Sequence, residues 1–411
     1  MNKRWNQTHM LDLGHRLFTK VHKRKHSAQH NHEIHFLARE INDWLPQGIQ
    51  SIIDGSYWPR HLRRYYFSDE MVDQLHITDR VMQHILLQQL KPTFKHVMNP
   101  NCLHLNGPTG VKLATQRVRQ ALQDEQPQFF IRADIKSFYR SILHHKLLQD
   151  IKQHYDDPKL ITMLERIIRN PLETPRGYKN PDNGVALRGP LSQFFSAIYL
   201  KPLDDAFDSF NVTYIRYQDD ILILCQTKRQ LNRCRRRMME VLQERRLTLS
   251  RKKSRIGSVQ DDFHFLGIQY KGTRTLSNTT VSHSANDSVI APTKSEAILA
   301  IRGGSSLNDH QQNALSRMVP HARTLRKART QVQLMVADQF STAKIKNYLR
   351  RWTQWWVKTV ESWSYHELLQ RFLNVCWDAT AATYAAALSQ RAREVYISSH
   401  AVSGCVAAAA A

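Results

Sequence analysis

The sequence predicts an α+β fold with helices at both ends of the chain and a mixed centre. Short apolar runs typical of strands are concentrated within residues 129–270, whereas apolar residues recur at helical spacing in 78–94 and 307–400. Hydrophobic residues make up 41% of the 411 residues, which is enough for a sizeable core. Apolar runs stay shorter than the ~18 residues that a spanning helix needs, so we expect no membrane partner.

The elements follow one another in a clear order. Residues 1–50 are polar and helical in pattern, and we interpret their histidine-rich patch as side chains that are solvated or face phosphate. Residues 51–128 are expected to be rich in helix, and apolar runs predict strands at 129–131, 214–217, 221–224 and 263–270. The Ser/Thr/Asn-rich stretch 271–290 is typical of a linker. The predicted domains are a helical extension (1–50), a central domain (51–275), a linker (276–306) and a helical C-terminal domain (307–411).

The charge indicates a polyanionic partner. The chain has 59 Lys and Arg against 35 Asp and Glu, a formal charge of +24. Twelve basic residues lie in 228–255 and nine in 317–351, and these runs contain only three acids. Such runs repel unless an anion separates them, so we expect both to flank a nucleic acid, the first run beside residues 217–220 and the second run on the opposite side of the nucleic acid. Five scattered cysteines without a CxxC motif, and no apolar signal sequence at the start, favour a cytoplasmic location.

Three aspartates stand where apolar runs end. Asp134 directly follows such a run, and Asp219 and Asp220 lie between two apolar runs, in YIRYQDDILIL. Two apolar runs around a short polar turn predict a β-hairpin with both aspartates at its tip. Adjacent carboxylates in an apolar setting repel each other unless a cation neutralises them. With Asp134 added, the oxygen-rich set suits Mg²⁺.

The order of five segments resembles the palm motifs of reverse transcriptases. The segments are DIKSFYRSI (134–142), RGPLSQFFSAIYLKPLD (188–204), YQDD (217–220), LTLSRKKSRIG (247–257) and FHFLG (263–267). Upstream, ITDRVMQHILLQQLKPTF (77–94) is similar to the fingers of bacterial members related to group II intron proteins. The resemblance implies a right-hand polymerase with fingers, an antiparallel palm and an all-α thumb. It also implies RNA-directed DNA polymerase activity, a nucleotidyl transfer.

The resemblance implies a role for each matching residue. Asp134, Asp219 and the Ile135 carbonyl would hold two Mg²⁺ ions, for which Mn²⁺ can substitute, and Asp220 would support the site. Lys253 matches the family's proposed general acid; a solvated lysine that contacts phosphate is the alternative. Tyr139 matches the steric gate that excludes ribose. The remaining matches are Arg188, Gly189 and Gln193 beside the nucleotide, Arg60, Arg63 and Arg64 at the triphosphate (or on an exposed basic face), and Phe265, Leu266 and Gly267 in the primer grip.

Two departures from the common pattern narrow the biological role. Arg188 replaces a frequent glutamine, which makes fidelity and templating mode open, and Ser192-Gln193 replaces Ser-Pro. The second variant resembles enzymes of diversity-generating retroelements and of bacterial defence. We therefore expect cDNA synthesis from dNTPs on a dedicated RNA, such as a structured non-coding RNA, in phage defence. The alternatives are mutagenic diversity generation, template-independent or protein-primed synthesis, and a non-catalytic RNA-binding scaffold. An oligomer or an accessory protein is compatible with each of these.

Overall fold

The computed structural model describes residues 6–25, 28–66, 71–187, 189–271 and 318–360. They belong to two compact units, one of Met1–Ala114 with Pro127–Ser258 and one of Thr115–Gln126 with Val259–Ala411. Helices alternate with sheets that are mostly antiparallel, which confirms the α+β class. The predicted linker at 276–306 lies outside the described residues, as do Arg188 and the chain after residue 360.

The strands are β1 (Leu62–Tyr66), β2 (Met71–Gln74), β3 (Phe129–Asp134), β4 (Leu172–Thr174), β5 (Gly177–Lys179), β6 (Thr213–Tyr217), β7 (Asp220–Cys225), β8 (Arg255–Ser258), β9 (Phe263–Phe265), β10 (Ile268–Tyr270) and β11 (Met318–Pro320).

The α-helices are α1 (Gln7–Arg24), α2 (Glu33–Arg39), α3 (Ile41–Asp54), α4 (Ile77–Leu90), α5 (Phe94–Val97), α6 (Gly110–Gln120), α7 (Phe138–Ser141), α8 (His144–His154), α9 (Pro158–Ile168), α10 (Ser192–Tyr199), α11 (Lys201–Asp208), α12 (Lys228–Glu244), α13 (Ala322–Ala337) and α14 (Thr342–Val360). None of the helices in the described ranges combines the length and the apolar character needed to cross a bilayer.

The N-terminal helices pack closely on α4. A Cβ atom on Gly14 of α1 would lie 2.6 Å from a methyl carbon of Leu45 in α3, so the two helices can approach only because this residue lacks a side chain. Met10, Leu45 and Ile85 are completely buried between them. At the start of α1, the Asn6 side chain accepts a hydrogen bond from the His9 amide and caps the helix.

A four-stranded sheet follows, in the order β2-β1-β4-β5. β1 pairs with β2 in antiparallel and with β4 in parallel orientation. Residues 51–128 are mainly helical, as expected, but they also contain the two short strands β1 and β2. Their sequences, LRRYY and MVDQ, are too short and too charged to show strand alternation, and they form strands because neighbouring strands supply the hydrogen bonds.

The central sheet has the order β6-β7-β3-β8, and all its pairs are antiparallel. Because strand side chains alternate between faces, Arg132 and Asp134 point to one face and Ile131 and Ala133 to the other. Ile131 and Ala133 share a buried core with α10, α11 and α12. One face of the sheet is thus covered by helices, and the opposite face carries Asp134.

The second unit contains the sheet β11-β10-β9. Residues 263–270 were expected to form one strand but make a hairpin, in which Phe265 pairs with Ile268. Leu266 and Gly267 connect the two strands with φ angles of 49° and 83°, the two positive values that a type I′ turn requires. Helix α13 is attached to this turn, because the Thr324 hydroxyl donates a hydrogen bond of 3.1 Å to the Gly267 carbonyl.

Candidate active site

Three carboxylates meet at one end of the central sheet. Asp134 is the last residue of β3 and pairs in register with Asp220, the first residue of β7. Gln218 and Asp219 form the two-residue turn from β6 to β7, because Tyr217 pairs with Asp220 on the other side of the turn. The predicted hairpin with both aspartates at its tip is present. Strand register brings Asp134 to the same place from a segment 85 residues earlier in the chain.

The carboxylates are partly buried, and this controls their protonation. Burial raises the pKa of Asp220 to about 6, and the negative charges of Asp219 and Asp134 add to the increase. Burial, together with the charge of Asp134, also raises the pKa of Asp219. These directions show that the folded protein disfavours having all three groups ionised without a cation beside them.

Two cations partly offset this negative charge. The Lys253 Nζ atom lies 3.1 Å from Asp134 Oδ2, although the Lys253 side chain is 59% exposed. Arg132 lies two residues before Asp134 on the same face of β3, and its guanidinium donates a hydrogen bond to the Lys253 carbonyl. Lys253 therefore reaches the carboxylates, and Arg132 holds its backbone.

The donor set fits a divalent cation in its chemistry. Carboxylate oxygens that repel one another are the ligands that Mg²⁺ prefers. The Ile135 carbonyl, the fourth predicted ligand, accepts no hydrogen bond from the described residues and is free to coordinate. Within the described ranges, no three His, Cys, Asp or Glu side chains already form a metal-ligand cluster.

The turn that carries Asp219 is held through the backbone of Gln218. Gln218 has φ 57°, a left-handed conformation that side-chain-bearing residues seldom adopt. Its amide donates a hydrogen bond of 3.2 Å to His104 Nδ1, and its carbonyl accepts one of 3.1 Å from Arg216 Nη1. The backbone amide and the backbone carbonyl of Gln218 are thus both held by buried side chains, which stabilises the strained turn.

His104 connects the turn to helix α10. Since Nδ1 accepts from the Gln218 amide, Nε2 carries the proton and donates to the Gln193 carbonyl over 3.0 Å. Burial, and then the nearby Arg216 charge, lower the pKa of His104 to about 3, so the ring is neutral at working pH. A neutral imidazole with one donor and one acceptor therefore links Gln193, a predicted nucleotide-binding residue, to the turn that bears Asp219.

Arg216 is itself held by a buried ion pair. Its guanidinium binds both carboxylate oxygens of Asp204 in α11, at 2.6 and 2.5 Å, and neither side chain is more than 1% exposed. Burial alone would lower the pKa of Arg216, but Asp204 raises it well above the usual value. Tyr214 adds a hydrogen bond of 2.7 Å to Asp204. The pair anchors β6 to the helices behind the sheet.

The residues predicted beside the nucleotide are placed as follows. Tyr139 is half-buried in α7, and burial raises the pKa of its hydroxyl to about 12. A Cβ on Gly189 would lie 3.1 Å from the Ala186 carbonyl, so a side chain here would require the loop to move by a few tenths of an ångström. Gln193 is exposed on the first turn of α10. Their contacts with nucleotide stay a prediction.

The three predicted fingers arginines do not form one cluster. Arg64 binds Asp73 with two hydrogen bonds, of 2.7 and 2.9 Å, and faces a cavity of about 540 Å³. Arg63 pairs with exposed Glu173 at 3.4 Å. Arg60 is exposed, and its amide binds Asp79. A triphosphate role for Arg64 would therefore have to compete with Asp73.

The predicted primer-grip residues belong to the other compact unit, where they form the β9–β10 turn described above. Phe265 is buried under the turn, whereas Leu266 and Gly267 are partly exposed. An exposed turn of fixed type I′ shape is a suitable element for a backbone contact.

The first half of the basic run 228–255 does not flank the carboxylates, contrary to the expectation from sequence. Lys228–Glu244 is helix α12, and the Cys234 sulfur lies 4.0 Å from that of Cys225 in β7. Cys225 points to the same face as Ile223 and Ile131, the face opposite Asp134. Sequence spacing placed the run near YQDD, but strand alternation and the buried stripe of α12 place it behind the sheet.

Sequence reasoning missed four residues that organise this site. The sequence did indicate Arg132, because side chains two residues apart in a strand point to the same face, and Asp134 is two residues away. It also indicated Arg216, because an arginine within an apolar strand requires a buried partner. It did not indicate His104 or Asp204, since each acts on residues that only the fold brings close.

Comparison with known proteins agrees with this geometry. Residues 71–270 match the family model described as reverse transcriptase (RNA-dependent DNA polymerase). The match includes all three aspartates and the strands that carry them. These residues form a reverse transcriptase domain, whose family generally uses divalent metal ions. The class of enzyme that such a domain defines is the RNA-directed DNA polymerases.

Individual relatives are distant. Protein YkfC of Escherichia coli (strain K12) is 24% identical over 259 residues, covering 53% of this chain and 68% of that protein. Apo telomerase from Candida tropicalis, truncated from the C-terminal domain, matches with 12% identity and TM-score 0.36, over 46% of this chain and 43% of that one. Telomerase from Candida albicans, in complex with a TWJ fragment of telomeric RNA, matches with 14% identity and TM-score 0.39, over 74% and 54%. The chain thus spans about half of each telomerase chain, and TM-scores below 0.5 carry no weight for its fold or function.

We expect Asp220→Asn to stabilise the metal-free protein. A carboxyl whose pKa is raised from 3.8 to about 6 destabilises the folded state when ionised; this penalty is complete above pH ~6 and fades toward pH 3.8. The substitution should add about 1–3 kcal/mol to the free energy of unfolding at pH 8 and less at pH 5. Urea denaturation without divalent ions measures this, with exposed Asp156→Asn as control. Equal gains at both pH values would contradict the electrostatic explanation.

We expect His104→Asn to retain much more polymerase activity than His104→Gln. The Asn oxygen can occupy the Nδ1 position and accept from the Gln218 amide, whereas Gln reaches only the Nε2 position and leaves that amide unpaired. An unpaired buried amide costs ~1–3 kcal/mol, so we expect a roughly 10- to 100-fold loss of kcat for Gln and Ala. Single-turnover primer extension compares the variants. Equal losses for Asn and Gln would show that His104 only fills space.

Proposed function

We propose that this protein is an RNA-directed DNA polymerase that extends a cDNA strand with dNTPs. One observation carries the proposal: Asp134 and Asp220 are paired in register beside the Asp219 turn, within a reverse transcriptase domain. The charge of Asp134 helps to raise the pKa values of Asp219 and Asp220, so this grouping of three carboxylates has no structural benefit in this position. Their cost is understandable if they hold metal ions during nucleotidyl transfer.

In this mechanism Asp134, Asp219 and the Ile135 carbonyl would hold two Mg²⁺ ions, and Asp220 would support them. Such ions activate the primer 3′-hydroxyl and stabilise the charge on the leaving pyrophosphate. Lys253, whose Nζ atom lies 3.1 Å from Asp134 Oδ2 and whose side chain is largely exposed, would donate the proton to the leaving pyrophosphate. His104 and Arg216 keep Asp219 in place by fixing the Gln218 backbone.

We further propose that the template is a dedicated RNA and that the biological role is phage defence. Support for the template comes from the charge of +24 and from the domain class. Support for the role is narrower, since it comes from the Ser192-Gln193 variant alone. Sequencing the nucleic acid that co-purifies with the protein would identify the template.

Primer extension tests the activity directly. With an RNA template, a DNA primer, dNTPs and Mg²⁺, we expect product from the wild-type protein and none from the variant Asp219→Ala with Asp220→Ala. Exposed Asp156→Ala serves as the matched control and should retain activity. Absence of wild-type product, or product from the double variant, would contradict the proposal.

We expect Tyr139→Ala to relax sugar selectivity. A ring at this position would collide with a ribose 2′-hydroxyl, and removing such a clash changes discrimination by ~1–3 kcal/mol, or about 10- to 200-fold. Competition between rNTPs and dNTPs measures the ratio of kcat/KM values. Tyr139→Phe retains the ring and should keep wild-type selectivity. If Ala and Phe discriminate equally well, Tyr139 is not the gate.

A further inference from the structure

Helix α12 exposes a strongly basic surface. Six cations reach solvent along its first ten residues, and we name them the α12 basic face: Lys228, Arg229, Arg233, Arg235, Arg236 and Arg237. The opposite stripe, which includes Leu231, Cys234 and Met238, is buried. The cations therefore occupy most of the solvent side along about 14 Å of helix, which they share with Gln230 and Asn232.

This surface faces away from the carboxylates. The buried stripe of α12 belongs to the same core as Ile131 and Ile223, which lie on one face of the sheet. Asp134 and Asp220 lie on the opposite face. A template–primer duplex seated on the carboxylates would thus be separated from the α12 basic face by the sheet itself. The charge of α12 needs an explanation other than substrate in the active site.

The protein itself leaves this charge largely unneutralised. Arg237 pairs with Glu240 at 3.3 Å, and the Arg233 guanidinium lies 4.4 Å from the centre of the Phe210 ring. Lys228, Arg229, Arg235 and Arg236 form no ion pair with any residue in the described ranges. They are supplied with no internal anion.

The arrangement also costs helix stability. Lys228 and Arg229 lie in the first turn, which contains no acid, although the helix dipole disfavours cations there by ~0.3–1 kcal/mol each. Arg229, Arg233 and Arg237 are spaced four residues apart, so like charges are neighbours and repel. Positions that break local rules without an internal compensation are typical of binding surfaces.

We propose that the α12 basic face binds the phosphate backbone of a base-paired RNA segment outside the catalytic cleft. Arginine suits phosphate, because its planar guanidinium can donate two hydrogen bonds at once. Among the described residues, the exposed large aromatic side chains all lie elsewhere, so α12 offers no ring on which an unpaired base could stack. A surface that has cations but no aromatic ring for base stacking is suited to contact the phosphate backbone, as in proteins that bind double-stranded RNA.

Other anionic partners fit less well. A helix that lies on a membrane buries an apolar stripe in the lipid, but the apolar stripe of α12 is already used in the core, and Met239 is the large hydrophobic residue that it exposes. A protein partner would require an apolar centre in the contact surface. Binding to base-paired RNA requires only cations that can reach its phosphates.

The test separates this surface from the active site. The variant Arg229→Gln with Arg235→Gln and Arg236→Gln is compared with Arg16→Gln, Lys20→Gln and Lys152→Gln, which removes three exposed cations elsewhere. A blunt 30-base-pair RNA hairpin is titrated by fluorescence anisotropy at several salt concentrations, without nucleotides. The same titration on a background of Asp219→Ala with Asp220→Ala makes the result independent of polymerase activity.

We expect the α12 variant to bind the hairpin 10- to 100-fold more weakly. The slope of log K against log salt should fall in magnitude by ~2–3, since each lost phosphate contact removes about 0.9. Replacement of the same three arginines by lysine should preserve the slope, and primer extension on a short template–primer should stay at the wild-type rate. Unchanged hairpin affinity, or an equal loss in the control variant, would overturn the proposal. A variant that loses affinity for anionic vesicles or for polyglutamate, but not for the hairpin, would also overturn the proposal.

Discussion

The antiparallel register of β3 against β7 is the constraint on which the site depends. It sets Asp134 opposite Asp220, and by alternation it assigns every neighbouring side chain to one of two faces. A slip by one residue would turn Asp134 into the helical core and Ala133 outward. Buried Ile131 and Ile223 on the helix side make that slip very costly, so the hydrophobic core is what holds the carboxylates on the accessible face.

The local part of the site could be predicted because its signals are local. Aspartates next to apolar runs indicated the end of β3 and the start of β7, and the order of the motifs predicted the type of domain. The support of the Asp219 turn could not be predicted, since His104 and Gln218 are 114 residues apart and nothing in either segment points to the other. Long-range hydrogen bonds of this kind are decided by tertiary packing alone.

The fold shows the same division. Three strands of the central sheet, β3, β6 and β7, are mostly apolar, and the sequence indicated them, whereas β8 (RIGS) is short and polar and was not predicted. β1 and β2 carry charges and are completed by partners, while β9 and β10 are only three residues each and appeared as one strand. The position of α12 was predicted wrongly for a different reason. Residues close to YQDD in the sequence were assumed to lie close to it in space, but the two ends of β7 have different surroundings.

The backbone of Gln218 limits which sequences can occupy the turn. At φ 57° a β-branched side chain crowds its own backbone, whereas asparagine or glycine would relax it. Variation at this position is therefore restricted by conformation, although the side chain of Gln218 is not needed for the hydrogen bonds to His104 and Arg216, which involve only its backbone atoms. A change of the residue between Tyr217 and Asp219 therefore alters the stiffness of the turn that carries Asp219.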